Sequence, residues 1–269
     1  MTKLQMLIIK SVAVFALLSS VSFAGAATNL NRNQALASLM SGNSSFVAGN
    51  FSYLSKVSQR SYREAASLGQ TPYAVVLGCI DSRVPPEIIF DKGINEIFST
   101  RIAGNVIADH ELGSIEYAVE HSGVPLVMVL GHSKCGAVTS SVDYAYSSLL
   151  AGTIPVGRAT VPSTVPPIVL EEPPLITYVN SLVNSLLNPI EIAYVALTPV
   201  TTPPTPPPTK PVLVEAAIKE NVIEVVDKLI ATSLIISEGI VAGKVMVVGA
   251  EYDVFTGKVT ILKVVSSLP

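Results

Sequence analysis

Apolar residues recur with helical spacing in several parts of the chain. Residues 32–49 place Ala35, Leu36, Leu39 and Met40 on one stripe, with polar positions between them. Such a stripe is typical of an amphipathic helix that packs against a core. The same spacing predicts three further helices, over 112–122, 136–150 and 212–234.

Short segments rich in apolar residues alternate with these helices. They cover residues 73–78, 125–130, 244–251 and 258–264, and a Thr256-Gly257 turn joins the last two. A strand without apolar–polar alternation is buried on both faces, as in a parallel sheet covered by helices. The pattern therefore predicts an α/β fold with a central, mainly parallel β-sheet flanked by helices.

Proline marks a stretch that breaks this alternation. Residues 151–211 hold 14 of the 19 prolines, including the tract 202–208, which favours an extended conformation. We interpret the stretch as an insertion in a single domain that covers 27–269. Within it, residues 175–198 are apolar enough to pack or to pair with a partner. The alternative is a surface loop.

The first 26 residues have the three parts of a secretory signal peptide. Lys3 and Lys10 precede an apolar run over 11–23, and Ala24-Gly25-Ala26 offers a cleavage site. The run is shorter than the roughly 20 residues that a membrane span needs, which disfavours the alternative of a membrane anchor. We expect an exported protein, in a bacterial periplasm, without membrane contact after cleavage.

Composition narrows the class further. The chain has 269 residues, of which 49% are apolar and 14% charged, so it can form one sizeable core and is not disordered throughout. The net charge is −3 and the 17 basic residues form no cluster. The sequence therefore gives no indication of a nucleic-acid partner.

Candidate chemistry follows directly after two of the predicted strands. The strand at 73–78 leads into Cys79-Ile80-Asp81-Ser82-Arg83, and the strand at 125–130 leads into Gly131-His132-Ser133-Lys134-Cys135. Ligand sites in open α/β sheets lie at the carboxyl ends of strands. Two cysteines and one histidine, with a fourth position open, are the ligand pattern of a catalytic zinc site.

Two simpler interpretations stay open at this point. The only two cysteines of an exported protein could form a disulfide between Cys79 and Cys135. Asp81 and Arg83 could be an ordinary surface ion pair, which contributes little to stability.

The motifs resemble those of the β-class carbonic anhydrases. The resemblance is carried by Gly78 through Asn105, by Leu112 to Val124 and by Gly131 to Val138, in which C-x-D-S-R and H-x-x-C occur together. It extends over about 32–150 and 212–265. The proline-rich stretch does not match, because the family usually has a shorter connection there.

The resemblance implies a role for each motif residue. Cys79, His132 and Cys135 would hold one zinc ion per chain, with Asp81 and Arg83 as the catalytic pair beside it. A pocket for carbon dioxide would be lined by Gln70, Phe98, Ala103, Tyr117 and Gly136. The family forms this pocket between subunits, so a homodimer or homotetramer is expected, with some of these residues acting across the interface.

The implied activity is the reversible hydration of carbon dioxide to bicarbonate and a proton, through attack by zinc-bound hydroxide. Asp81 would orient the hydroxide, and Arg83 would keep Asp81 ionised and away from the metal. One alternative keeps the fold and the metal but acts on carbonyl sulfide or carbon disulfide. Another is a non-enzymatic exported protein with the Cys79–Cys135 disulfide.

Overall fold

The computed structural model describes residues 28–50, 59–151, 177–199 and 206–268. The predicted signal peptide and most of the 202–208 proline tract lie outside these residues. The helices are α1 (Arg32–Val47), α2 (Arg60–Ala66), α3 (Pro86–Ile89), α4 (Asp109–Ser122), α5 (Gly136–Leu150), α6 (Thr177–Leu197), α7 (Lys210–Thr232) and α8 (Leu234–Val241). The strands are β1 (Ala74–Gly78), β2 (Ile97–Arg101), β3 (Leu126–His132), β4 (Met246–Tyr252) and β5 (Val259–Val265), and a 3₁₀ turn covers Ala103–Asn105.

The five strands form one sheet in the order β2-β1-β3-β4-β5. Neighbouring strands are parallel except for the antiparallel β4–β5 hairpin. Every residue of β1 and β3 is buried, as their unbroken apolar runs predicted. The predicted α/β class, with a mainly parallel sheet flanked by helices, is confirmed.

Both faces of the sheet are covered, and the side chains of β1 show how. Ala74 and Val76 point into one apolar cluster, which α1, α5, α6 and the first half of α7 complete. Val75 and Leu77 point into a second cluster, which α4, α8 and the second half of α7 complete. Because successive strand residues face opposite sides, burial on both faces requires the continuous apolar runs seen in the sequence.

Helix α7 lies close against the sheet where β3 ends. A Cβ atom on Gly131 would come within 2.5 Å of the Val222 side chain, so glycine is needed for this approach. The helix predicted over 212–234 ends at Thr232, because Ser233 caps another helix that begins at Leu234. The Ser233 hydroxyl accepts a hydrogen bond from the Ile236 amide at 3.2 Å and thereby caps α8.

Part of the proline-rich stretch is helical. Helix α6 buries Leu186, Ile190 and Ala193 in the same cluster that holds α5 and the start of α7. The alternative of a surface loop is therefore wrong for this part of the stretch. None of the helices in the described part of the chain is long and apolar enough to cross a bilayer.

Candidate metal centre

Three potential metal ligands meet where the two central strands end. Cys79 directly follows β1, His132 is the last residue of β3, and Cys135 is the residue before α5. Strands β1 and β3 are parallel neighbours, so their carboxyl ends lie at the same edge of the sheet. The two sulfurs and one imidazole nitrogen all lie within 4.8 Å of one another, and all three side chains are buried. Both cysteines are free thiols in the structure.

The hydrogen bonding of His132 leaves its Nε2 atom available to bind a metal. Its Nδ1 lies 3.0 Å from the Ser133 carbonyl oxygen. A carbonyl oxygen only accepts, so Nδ1 carries the proton and Nε2 presents a lone pair. This Nε2 is buried and has no hydrogen-bond partner among the described residues. A buried lone pair that nothing donates to fits a metal ligand, and the backbone carbonyl fixes the ring orientation.

The two thiols influence each other strongly. The pKa of Cys79 is lowered, first because the Cys135 thiol donates a hydrogen bond to it, and the Asp81 and Gly104 amides add to this effect while burial opposes it. The pKa of Cys135 is raised, because it donates to Cys79 and because it is buried. A cation bound by both sulfurs would stabilise both as thiolates. Two sulfurs and one imidazole nitrogen form a donor set that suits zinc.

Asp81 lies at the edge of this ligand set and is held by Arg83. The Arg83 Nε donates to Oδ1 at 2.9 Å and its Nη2 donates to Oδ2 at 2.7 Å. The backbone amide of Arg83 also donates to Oδ1, at 2.9 Å. These bonds hold the pKa of the Asp81 carboxyl well below its usual range. Oδ2 lies 4.0 Å from His132 Nε2, so an ionised carboxylate faces the position that a metal would fill.

Backbone contacts fix the loop that carries Cys79 and Asp81. Arg101, at the end of β2, donates from Nε to the Cys79 carbonyl at 2.8 Å and from Nη2 to the Asp81 carbonyl at 2.6 Å. The Gly104 amide donates to Cys79 Sγ at 3.3 Å. Neither Arg101 nor Gly104 was predicted to have a role. No sequence signal pointed to Arg101, because the strand that it ends was not predicted either.

The predicted pocket residues fall into separate places on a single chain. Phe98 and Tyr117 line one groove of about 450 Å³, between the β2 edge of the sheet and α4. Ala103 begins the 3₁₀ turn beside Cys79, and Gly136 is the first residue of α5 beside Cys135. Gln70 is exposed in the connection before β1. One chain does not bring the five together, and their meeting across an interface stays a prediction.

Fold and site together define an α/β protein with a buried Cys₂His centre at the carboxyl ends of its central strands. A family model described as carbonic anhydrase matches residues 74–155. Carbonic anhydrase 2 of Mycobacterium tuberculosis is 44% identical over 144 residues, which cover 53% of this chain and 67% of that protein. The chain belongs to the β-class carbonic anhydrase family of enzymes, as its motifs predicted.

Solved structures agree on the fold. A β-carbonic anhydrase of Aspergillus fumigatus superimposes with a TM-score of 0.57 at 24% identity, over 84% of this chain and 92% of that chain. Tetrameric β-carbonic anhydrases of Sordaria macrospora give a TM-score of 0.55 at 21% identity, over 84% of this chain and 96% of that chain.

Proposed function

We propose that this protein catalyses the zinc-dependent, reversible hydration of carbon dioxide to bicarbonate and a proton. One observation carries the proposal: Cys79, His132 and Cys135 converge within 4.8 Å, beside an Asp81 that Arg83 keeps ionised. Family membership supports the same reaction.

The three converging side chains would hold one zinc ion per chain, next to Asp81. Bound zinc lowers the pKa of a coordinated water from 15.7 to about 7 and so supplies a nucleophile near neutral pH. The three ligand side chains themselves are buried, so charge interactions with them are stronger than in water.

Asp81 orients the nucleophile. An ionised carboxylate can only accept hydrogen bonds, and Arg83 directs two donors to Oδ1 and one to Oδ2. Oδ2, the oxygen nearer to His132, keeps a free lone pair at the edge of the ligand set. There it would accept a hydrogen bond from the O–H group of the nucleophile and so direct a lone pair of the nucleophile toward the substrate carbon. Arg83 would keep the carboxylate from rotating onto a bound metal.

A second copy of the chain completes the substrate pocket. The Tyr117 side chain is 53% exposed and lies with Phe98 in the groove beside β2, the edge strand of the sheet. An exposed sheet edge next to an aromatic groove is suited to covering by another chain. The tetrameric Sordaria relatives support an oligomer. Light scattering after size exclusion should give a dimer or tetramer, and Tyr117→Lys should shift it toward the monomer.

Stopped-flow measurement of carbon dioxide hydration, with zinc quantified in the same sample, tests the proposal. We expect rapid hydration by protein that holds one zinc per chain, with a rate that rises above neutral pH. Zinc-loaded protein without this activity would contradict the proposed substrate and direct the search to carbonyl sulfide or carbon disulfide. Protein that binds no zinc, and whose cysteines resist thiol titration after denaturation, would support the disulfide instead.

We also propose that the protein is exported after cleavage behind Ala26. The arrangement of Lys3, Lys10, the apolar run 11–23 and Ala24-Gly25-Ala26 supports this. Expression in a Gram-negative host, followed by mass spectrometry of the periplasmic fraction, should find a chain that begins at Ala27. An uncleaved chain in the membrane or cytoplasmic fraction would contradict export.

A further inference from the structure

We propose that Asn221 is a positioning residue for the metal ligand Cys79 and acts on it through Gly104. The inference rests on the proposed zinc site. Asn221 belongs to α7, lies 117 positions after Gly104 and is 2% exposed. Its Nδ2 donates to the Gly104 carbonyl oxygen at 2.7 Å, and the Gly104 amide donates to Cys79 Sγ at 3.3 Å. A side chain of α7 is thereby connected to a ligand at the end of β1.

The backbone at Gly104 transmits this contact because it has little freedom to move. Its φ of 67° and ψ of 16° belong to the left-handed region, which glycine adopts without steric cost. A Cβ atom here would lie 3.2 Å from Leu186 and 3.3 Å from Ala137, so the turn is closely packed on that side. The Asn221 bond fixes the carbonyl that follows the Gly104 Cα, and the amide that precedes it is aimed at the sulfur. A shift of the Gly104 carbonyl group would therefore change the direction of the Gly104 N–H.

Part of this confinement comes from α6. Leu186 is completely buried and packs on Gly104, so the helix within the proline-rich stretch supports the turn that contacts Cys79. Asn221 on one side and Leu186 on the other hold the same glycine. The stretch that does not resemble the family therefore contributes to the surroundings of the metal ligand.

The contact between the Gly104 amide and Cys79 Sγ matters because it acts on a metal ligand. A backbone N–H directed at a sulfur ligand stabilises negative charge on it, and the Gly104 amide lies 3.3 Å from Cys79 Sγ. Partners of this kind fix the orientation of a metal ligand and adjust how strongly it donates to the metal. Their loss typically costs about 10- to 100-fold in metal affinity or activity.

A purely structural role for Asn221 makes a different prediction, and Asn43 provides the matched control. Asn43 is 3% exposed and also bonds backbone atoms distant in sequence, the carbonyls of Ile89 and Gly257 and the amide of Val259. None of these atoms belongs to a metal ligand or to the turn at Gly104. If buried asparagines act only through stability, substitutions at 43 and 221 should affect the metal equally.

The test compares Asn221→Ala, Asn221→Asp and Asn43→Ala by zinc affinity, measured in competition with a chelator, and by the sulfur-to-cobalt charge-transfer band of cobalt-substituted protein. Asn221→Asp preserves the shape but replaces the donor by an acceptor, and it serves if the alanine variant does not fold. We expect both Asn221 variants to bind zinc about 10- to 100-fold more weakly, with a shifted cobalt band. Asn43→Ala should match the wild type in both measurements.

Wild-type zinc affinity and an unshifted band in a folded Asn221 variant would overturn the inference. So would equal losses in the Asn43 variant. A wild-type protein that binds zinc but does not hydrate carbon dioxide would overturn the proposed substrate and leave this comparison intact, because neither readout depends on activity.

Discussion

Arg83 connects the two loops that carry the ligands, because its Nη2 donates to the Lys134 carbonyl oxygen at 3.2 Å. The same nitrogen donates to Asp81 Oδ2 at 2.7 Å. Lys134 lies between the ligands His132 and Cys135 in a left-handed conformation, with φ of 56°. One guanidinium group therefore fixes the carboxylate after β1 relative to the turn after β3. Only a planar group with several fixed donors can make these contacts together.

Substituting Arg83 should therefore inactivate the enzyme without removing the metal. In Arg83→Ala the carboxylate of Asp81 loses two side-chain donors and is free to rotate onto the metal position. We expect hydration of carbon dioxide to fall by about 100-fold or more, with zinc per chain unchanged by elemental analysis. Arg60→Ala removes an exposed arginine–carboxylate pair on α2 and should leave the rate unaltered. An Arg83→Ala enzyme with nearly full activity would exclude this role.

His132 should be required for metal binding in a way that another histidine is not. Its Nε2 is the only imidazole lone pair in the buried Cys₂His group, whereas the His121 side chain is 46% exposed on α4. We expect His132→Ala to lose most of its zinc during dialysis against a chelator, while His121→Ala keeps one zinc per chain. Wild-type protein stripped by a stronger chelator should lose activity and regain it with added zinc. Equal zinc retention by the two variants would contradict the assignment.

The most buried strands could be predicted because burial on both faces leaves only apolar residues. The run at 73–78 became β1 and the run at 125–130 became β3, which continues through Gly131 and His132. Gly131 and His132 were not included in the predicted strand because the apolar run ends at Leu130. Strand β2 was missed because Ser99, Thr100 and Arg101 interrupt any apolar pattern. As the edge of the sheet it is only partly buried and does not need one.

The three candidate ligands could be proposed from the sequence because they lie in the motifs that follow two buried strands. The surrounding contacts could not. Asn221 and Arg101 contact backbone atoms of distant segments. Because the backbone carbonyl is the same in every residue, the sequence does not indicate which side chain will bond to it. The helix of the proline-rich stretch was noticed only as an apolar segment, because its packing on α7 depends on the tertiary arrangement.

Glu251 should make stability depend on pH. Burial raises the pKa of this carboxyl, and the nearby Glu215 and Asp253 add to the effect of burial, although Lys219 Nζ lies 3.8 Å away and opposes it. A raised folded-state pKa means that the folded protein binds the proton more tightly than the unfolded chain. Stability therefore falls as the pH rises from the unfolded value of about 4.3 through the folded pKa.

Glu251→Gln removes this titration. We expect the variant to melt at a higher temperature than the wild type at pH 7. The difference should shrink toward zero below about pH 4, where residue 251 of the wild type is neutral in both the folded and the unfolded state. Calorimetry across this range measures the difference. Glu64→Gln, on exposed α2, serves as the control and should show no such dependence. A difference that is constant with pH would show that the effect is not one of ionisation.

Asn43 should be among the most important polar residues for stability. Its side chain donates to the Ile89 and Gly257 carbonyls at 3.2 and 2.8 Å and accepts from the Val259 amide at 2.9 Å. Helix α1, the end of α3 and the β4–β5 hairpin are thereby joined through one buried amide. Asn43→Ala leaves three backbone groups without this partner, and each buried polar group left unpaired costs about 1 to 3 kcal/mol.

We expect Asn43→Ala to lower the free energy of unfolding by about 2 to 4 kcal/mol in urea titration, because the gaps around a small side chain can admit water to part of the lost bonding. The exposed Asn33 on the same helix gives the comparison, and Asn33→Ala should change stability by no more than about 0.5 kcal/mol. Hydrogen exchange should locate the loss, with faster exchange at the Val259 amide than in the wild type. Equal stability of the two variants would show that α1 is held to the hairpin by apolar packing alone.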